Sequence, residues 1–172
     1  MTTGTRKQCI EQGLTTCRFV VDEDPGANGS APIYELPLFS EVARHSAEID
    51  RAAREVGVDA RLIRAVLYVE TTHGYYDAPL ELLGANRSIR PMNVNVAYWG
   101  DAFGDREALS EPAHNIRAGA LILQRIAANL PAGAGVRHVA TLYNNLDAAA
   151  VSDYGARVEK VYETRPWESD VD

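Results

Sequence analysis

Lysine is nearly missing from this 172-residue chain: only Lys7 and Lys160 occur, and arginine supplies the remaining positive charge. The balance is acidic, with a formal net charge of -7 at pH 7, so a phosphate backbone is not an expected partner, because such a partner calls for a basic patch. Cysteine is scarce too. Cys9 and Cys17 are the only two, and their spacing excludes a CxxC redox or zinc motif. They fit either a small-loop disulfide in an oxidising compartment or two inert thiols. No apolar run approaches the roughly 20 residues that cross a bilayer. Met1 to Leu14 lack the apolar core of a secretory signal, so the expectation is synthesis in the cytoplasm and delivery by another route. P-loop, dinucleotide-binding, HExxH and GxSxG motifs are all missing.

What is present is an ordinary globular composition, 46% hydrophobic and 24% charged, at a length that most simply makes one domain. Residues 1–35 show no sustained period and contain the turn-rich run Asp24-Pro25-Gly26-Ala27-Asn28-Gly29-Ser30. They read as an irregular N-terminal extension, followed by a domain over 36–168 and a tail over 169–172. From Pro37 the pattern turns helical. Phe39, Val42, Ser46, Ile49, Ala53 and Val56 recur at three and four, and Gly57 closes the helix. Asp59 opens the next, which carries Leu62, Ile63, Val66, Leu67 and Val69 up to His73-Gly74 and should be the buried central helix. Gly84 to Ala97 mixes Gly, Asn, Ser and Pro with short alternation, which predicts a small irregular or β lobe. Pro112 opens a helix to about Asn129, a short helix covers Val136 to Tyr143, and Ser152 or Asp153 caps a last one. The expected class is mainly α.

Glu70 is the anomaly in this pattern. It follows Ile63 by seven, Val66 by four and Leu67 by three, so it shares their apolar stripe. Lost hydration there favours the neutral carboxyl, the form a glycosidase uses to protonate a leaving oxygen. A glutamate at a helix end turned to solvent is the plainer explanation of the same spacing.

The motifs around Glu70 decide between these. Leu67-Tyr68-Val69-Glu70-Thr71-Thr72-His73-Gly74 resembles the catalytic signature of soluble lytic transglycosylases and goose-type lysozymes, in the lysozyme-like superfamily. Arg90-Pro91-Met92-Asn93-Val94-Asn95 stands where that family has its Gly-Leu-Met-Gln cleft floor. Asn115-Ile116-Arg117-Ala118-Gly119, Ala140-Thr141-Leu142-Tyr143-Asn144 and Tyr154-Gly155-Ala156-Arg157-Val158 resemble its three later helix motifs, in the same order. The resemblance spans about residues 48–163. It implies a helical body with a small lobe over 84–98, a glycan-binding cleft between them, and no cofactor or metal. The implied substrate is peptidoglycan, cut at the β-1,4 bond between N-acetylmuramic acid and N-acetylglucosamine. Glu70 would be the acid, with Met92, Asn93, Asn95, Tyr143, Asn144 and Tyr75 on the substrate. Small enzymes of this kind serve as phage endolysins or as bacteriolytic toxins secreted into rival cells. They act in the periplasm or cell wall, and an injected toxin implies a cognate immunity protein that occludes the cleft.

This sequence also departs from the family. Arg90-Pro91 replaces Gly-Leu, Asn93 replaces Gln, and Asn95 stands where goose-type enzymes carry an Asp thought to act on water. One carboxylate flanked by two asparagines favours lytic transglycosylation, in which the muramic 6-hydroxyl closes onto C1. Hydrolysis would need a second carboxylate, for which Asp77, Glu81, Asp101 and Asp105 are the candidates nearby. Two other classes compete. Glu70-x-x-His73 and Glu111-x-x-His114 are the ExxH pairs of a di-iron four-helix bundle, with Glu48 or Glu55 and Glu159 or Glu163 completing the set. A folded glycan- or protein-binding module with a dead site is the other.

Overall fold

The computed structural model describes residues 3–29, 41–82 and 88–171, with side chains at 5–29, 41–71 and 89–168. Pro37, Phe39 and the expected boundary at residue 35 lie outside them. Nine α-helices occur among the described residues: α1 (Thr3–Gln12), α2 (Glu41–Arg44), α3 (Ser46–Val56), α4 (Ala60–Leu82), α5 (Val96–Phe103), α6 (Arg106–Ser110), α7 (Pro112–Asn129), α8 (Val136–Asn144) and α9 (Asp153–Thr164). A 3-10 turn over Pro166–Val171 closes the chain. The protein is mainly helical. Its one described sheet is a two-residue antiparallel hairpin, β1 (Ser88–Ile89) with β2 (Val94–Asn95), in the register Ser88 to Asn95 and Ile89 to Val94.

Local chemistry accounts for most boundaries. Gly57 ends α3 with φ 78°, a left-handed conformation that costs glycine little. The Asp59 carboxylate accepts from the backbone of Arg61, opening α4. Pro112 takes the first turn of α7, where its missing N–H is no loss, and Glu111 caps that helix through the backbone of His114. Ser152 caps α9 through Gly155. α4 differs from expectation because it continues past His73-Gly74 to Leu82. A helical glycine costs about 1 kcal/mol and does not by itself end a helix.

α4 runs through the middle of the core. Ile63, Val66 and Leu67 are fully buried, meeting Ile116, Leu123 and Ile126 of α7 and Val158 of α9. α9 packs on both α4 and α8. The α8–α9 contact is close because Gly155 has no side chain: a Cβ there would collide with Thr141 Oγ1 and the Arg137 carbonyl. Thr141 is itself buried, and its hydroxyl oxygen accepts from the Ser152 amide at 3.1 Å.

The N-terminal segment departs from its irregular reading in one respect, since it opens with a helix before residues 13–29 run mostly without regular structure. α1 rests against α7, and Ile10 and Phe19 are buried in the core. A disulfide joins Cys9 to Cys17, resolving the two readings of that pair. Asn129 at the end of α7 stitches the loop down, accepting from the Cys17 amide at 2.9 Å and donating to the Leu14 carbonyl at 2.6 Å. Arg125 donates to the carbonyl of Ile10 at 2.7 Å. The helix shows no clear period because, among its described side chains, only the Cys9-Ile10 pair is buried, too little apolar surface to leave a pattern.

Gly155→Ala tests the α8–α9 contact. Backbone cannot yield as a flexible side chain can, so the substitution should cost about 3 kcal/mol. Urea denaturation should show the midpoint falling accordingly, and an unchanged midpoint would mean that the two helices part freely.

Candidate active site

The site is organised around one buried backbone segment. Met92 is fully buried, and its amide donates to Asn115 Oδ1 at 2.9 Å while its carbonyl accepts from the Tyr143 hydroxyl at 2.7 Å. Asn115, also fully buried, donates to the carbonyls of Ile89 and Leu109. One amide side chain therefore ties the hairpin and α6 to the start of α7. Gly119 leaves room for the methionine, since a Cβ at 119 would lie 2.8 Å from Met92 Cβ. Three residues from two motifs thus serve a single purpose, which is to fix residues 92 and 93.

Asn93 follows in the left-handed region at φ 56°, one that asparagine tolerates better than most residues. Its amide donates to Glu70 Oε2 at 2.8 Å. Glu70 is only 4% exposed. Its other oxygen, Oε1, accepts from the Tyr154 hydroxyl at 2.5 Å. Burying a bare carboxylate is costly, and donated hydrogen bonds offset much of that cost. They also fix the plane of the carboxyl group. Tyr154 belongs to α9, so the close passage at Gly155 is what brings its hydroxyl within reach.

Glu70 opens onto a cleft of about 320 Å³. Asn93, Asn95, Asn144 and Asn145 line it with neutral amides, and Tyr98, Trp99 and Tyr143 supply aromatic wall. Such a lining suits an uncharged ligand with many hydroxyl and amide groups. Tyr98 and Trp99 meet edge to face at 4.7 Å. Buried next to Glu70, the hydroxyls of Tyr143 and Tyr154 are both held well above their ordinary value near 10, first by burial and then by the carboxylate charge. Both remain hydrogen-bond donors through neutral pH.

Most of the expected site residues meet here, some in altered roles. Glu70, Asn93 and Asn144 line the cleft. Tyr143 also lines it, but its hydroxyl holds Met92 rather than a ligand. Met92 lies beneath the surface as support. Asn95 borders the cleft, yet its side-chain oxygen caps α5 by accepting from the Tyr98 amide at 3.1 Å. The side chains of Tyr75, His73, Asp77 and Glu81 lie outside the described residues. Asp101 is exposed on α5 away from the cleft lining, and Asp105 caps α6 through Ala108. Glu111 is the α7 cap and His114 bonds the Phe103 carbonyl at 2.7 Å, so the second ExxH pair serves local structure. Among the described residues no group of three or more His, Cys, Asp or Glu is placed to hold a metal ion.

Several residues at or beside the cleft were not among those expected. Tyr154 touches Glu70 from 84 positions away, and only the Tyr154-Gly155 motif hints at it. Tyr98 and Asp147 are two further lining residues. Nothing in the sequence around either sets it apart from an ordinary surface residue.

The two tyrosines give the site an alkaline limit. A raised native value means that the folded protein keeps protons which the unfolded chain releases near pH 10. Their contribution is therefore complete below about pH 10 and is lost as pH climbs through the native values. Urea midpoints measured from pH 8 to 12 should fall above 10. Tyr154→Phe should flatten that fall, whereas an identical profile in the variant would show that Tyr154 does not ionise within a buried site.

No family model, curated protein or solved structure matches this chain.

Proposed function

We propose that this chain cleaves the β-1,4 bond between N-acetylmuramic acid and N-acetylglucosamine in peptidoglycan, with Glu70 protonating the departing oxygen. The observation that carries this reading is the Glu70 carboxyl itself. It is buried, oriented through both oxygens by Asn93 and Tyr154, and open on one side to an amide-lined cleft. A structural carboxylate with two good partners has no need of an open cleft. One that must pass a proton to a ligand does.

The surroundings support a glycan as that ligand. Asn144 and Asn145 are exposed at the cleft edge, where amides can meet the N-acetyl and hydroxyl groups of a sugar ring. Tyr98 and Trp99 offer aromatic surface of the kind on which sugars stack. With the helical body, the small hairpin lobe and the cleft, these features support a lysozyme-like reading of the fold. The Cys9–Cys17 disulfide fits work in an oxidising compartment such as the periplasm or cell wall, which is where a bacteriolytic toxin or an endolysin acts. If it is an injected toxin, a cognate inhibitor seated in the cleft is the partner to look for.

Glu70→Gln keeps the shape of the side chain and can retain both neighbours, since the Asn93 amide can turn to accept. It cannot deliver a proton. Release of soluble fragments from purified peptidoglycan should fall by at least about 10²-fold with the fold intact by circular dichroism. A folded variant that still clears peptidoglycan at the parent rate would refute the assignment.

A further inference from the structure

Asp147 is the only carboxylate other than Glu70 among the described residues lining the cleft. It sits on the loop after α8, outside the stretch where a partner carboxylate is expected. Its backbone is held with unusual care for an exposed loop residue. Arg6 of α1 donates to the carbonyls on either side of it, Leu146 at 2.9 Å and Ala148 at 3.0 Å. The amide of Asp147 itself donates to Asn145 Oδ1 at 3.0 Å. Leu146, immediately before, is buried in the core and acts as an anchor. The carboxylate by contrast is exposed, and no hydrogen bond or ion pair engages it among the described residues. Its charge reaches the Tyr98 hydroxyl, which lies on the same cleft wall and which burial and then Asp147 push upward.

A pinned backbone beneath an unengaged carboxylate leaves that group available to a water or ligand in the cleft. We propose that Asp147 is the second carboxylate of the site, the base that activates water, so that the reaction is an inverting hydrolysis. This rests on the glycan-cleaving reading above. An inverting pair leaves room for a water between its two carboxyl groups, and Asp147 lines the same cleft as Glu70 from a solvent-exposed position where such a water is available. In the step, the water oxygen bonds to C1 of the muramic residue and its proton passes to Asp147. The bond from C1 to the glycosidic oxygen breaks, and that oxygen takes the proton from Glu70. One water is added, the configuration at C1 inverts, and the two carboxyl groups return to their starting states by exchange with solvent. The missing acid at Asn95 is thereby supplied from the loop after α8, between the last two sequence motifs. Transglycosylation, favoured by the sequence alone, gives way to hydrolysis.

The test uses the full chain on purified peptidoglycan, with fragments weighed by mass spectrometry and the new anomeric centre followed by NMR. The parent protein should release reducing muramic ends, initially as the inverted anomer. Asp147→Asn should slow their release by about 10²-fold or more, while binding of N-acetylglucosamine oligomers changes by less than a few fold. In Asp147→Ala, sodium azide should restore cleavage and yield an inverted glycosyl azide, since azide needs no base. A merely structural Asp147 would show no such rescue. Anhydro-muramic ends from the parent protein would overturn the proposal, as would a retained anomer or an undiminished Asp147→Asn. If the parent protein releases no fragments at all, the glycan-cleaving reading fails, and this inference fails with it.

Discussion

The hold on the Met92 backbone is the constraint on which the site depends. Its amide is taken by Asn115 and its carbonyl by Tyr143, so a two-stranded hairpin far too small to be stable alone is fastened to two helices of the main body. Both partners are internal, and loss of either would strand a buried polar group, a penalty of about 1–3 kcal/mol. The hairpin therefore has one position and not several. Asn93 inherits that precision and passes it to Glu70 through a single hydrogen bond. The other side of Glu70 is fixed by a separate route, through Thr141, Ser152 and Gly155, which set how α9 passes α8 and where the Tyr154 hydroxyl lands. Two independent supports meeting on one carboxyl group give it the fixed orientation that the proposed proton transfer would require.

Much of this was legible in the residues. The helix boundaries at Gly57, Asp59, Pro112 and Ser152 are written in local chemistry, because a cap or a missing N–H acts within one turn. Glu70 stood out because a charged residue on a fully apolar stripe violates the pattern around it. The less legible parts are those that depend on distance along the chain. α1 buries too few residues to leave a period, and its disulfide could be read either way from spacing. α5 begins where the expected irregular lobe should still have been running, since Asn95 turns the chain by capping. Tyr154 reaches Glu70, and Asp147 the cleft, through tertiary packing that no local window contains. Gly74 shows the converse error: a local stop signal overridden by the helix that runs through it.

The motif residues also take on physical meanings that their names alone do not carry. Asn115 and Gly119 are one turn apart on α7, and both serve Met92, one by hydrogen bonding and the other by leaving space. Tyr143 lines the cleft, yet its hydroxyl is spent inward. A substitution at any of these would move Asn93 before it touched a ligand. Their effect on chemistry would come through geometry, where a displacement of about 1 Å costs roughly 10²-fold.

The N-terminal arm connects the site to conditions outside it. Arg6 grips the loop that bears Asp147, and Arg6 lies on the same short helix as Cys9, one half of the disulfide. With that bond intact, the helix is closed into a covalent ring with the segment that Asn129 holds against α7. With it reduced, the helix keeps its place by hydrogen bonds, the burial of Ile10 and the contacts of Arg6 and Lys7 with the Phe19 and Tyr98 rings. The covalent ring thus lies one helical turn from the residue that grips the cleft edge, so the thiol balance of the surroundings bears on how firmly that edge is braced.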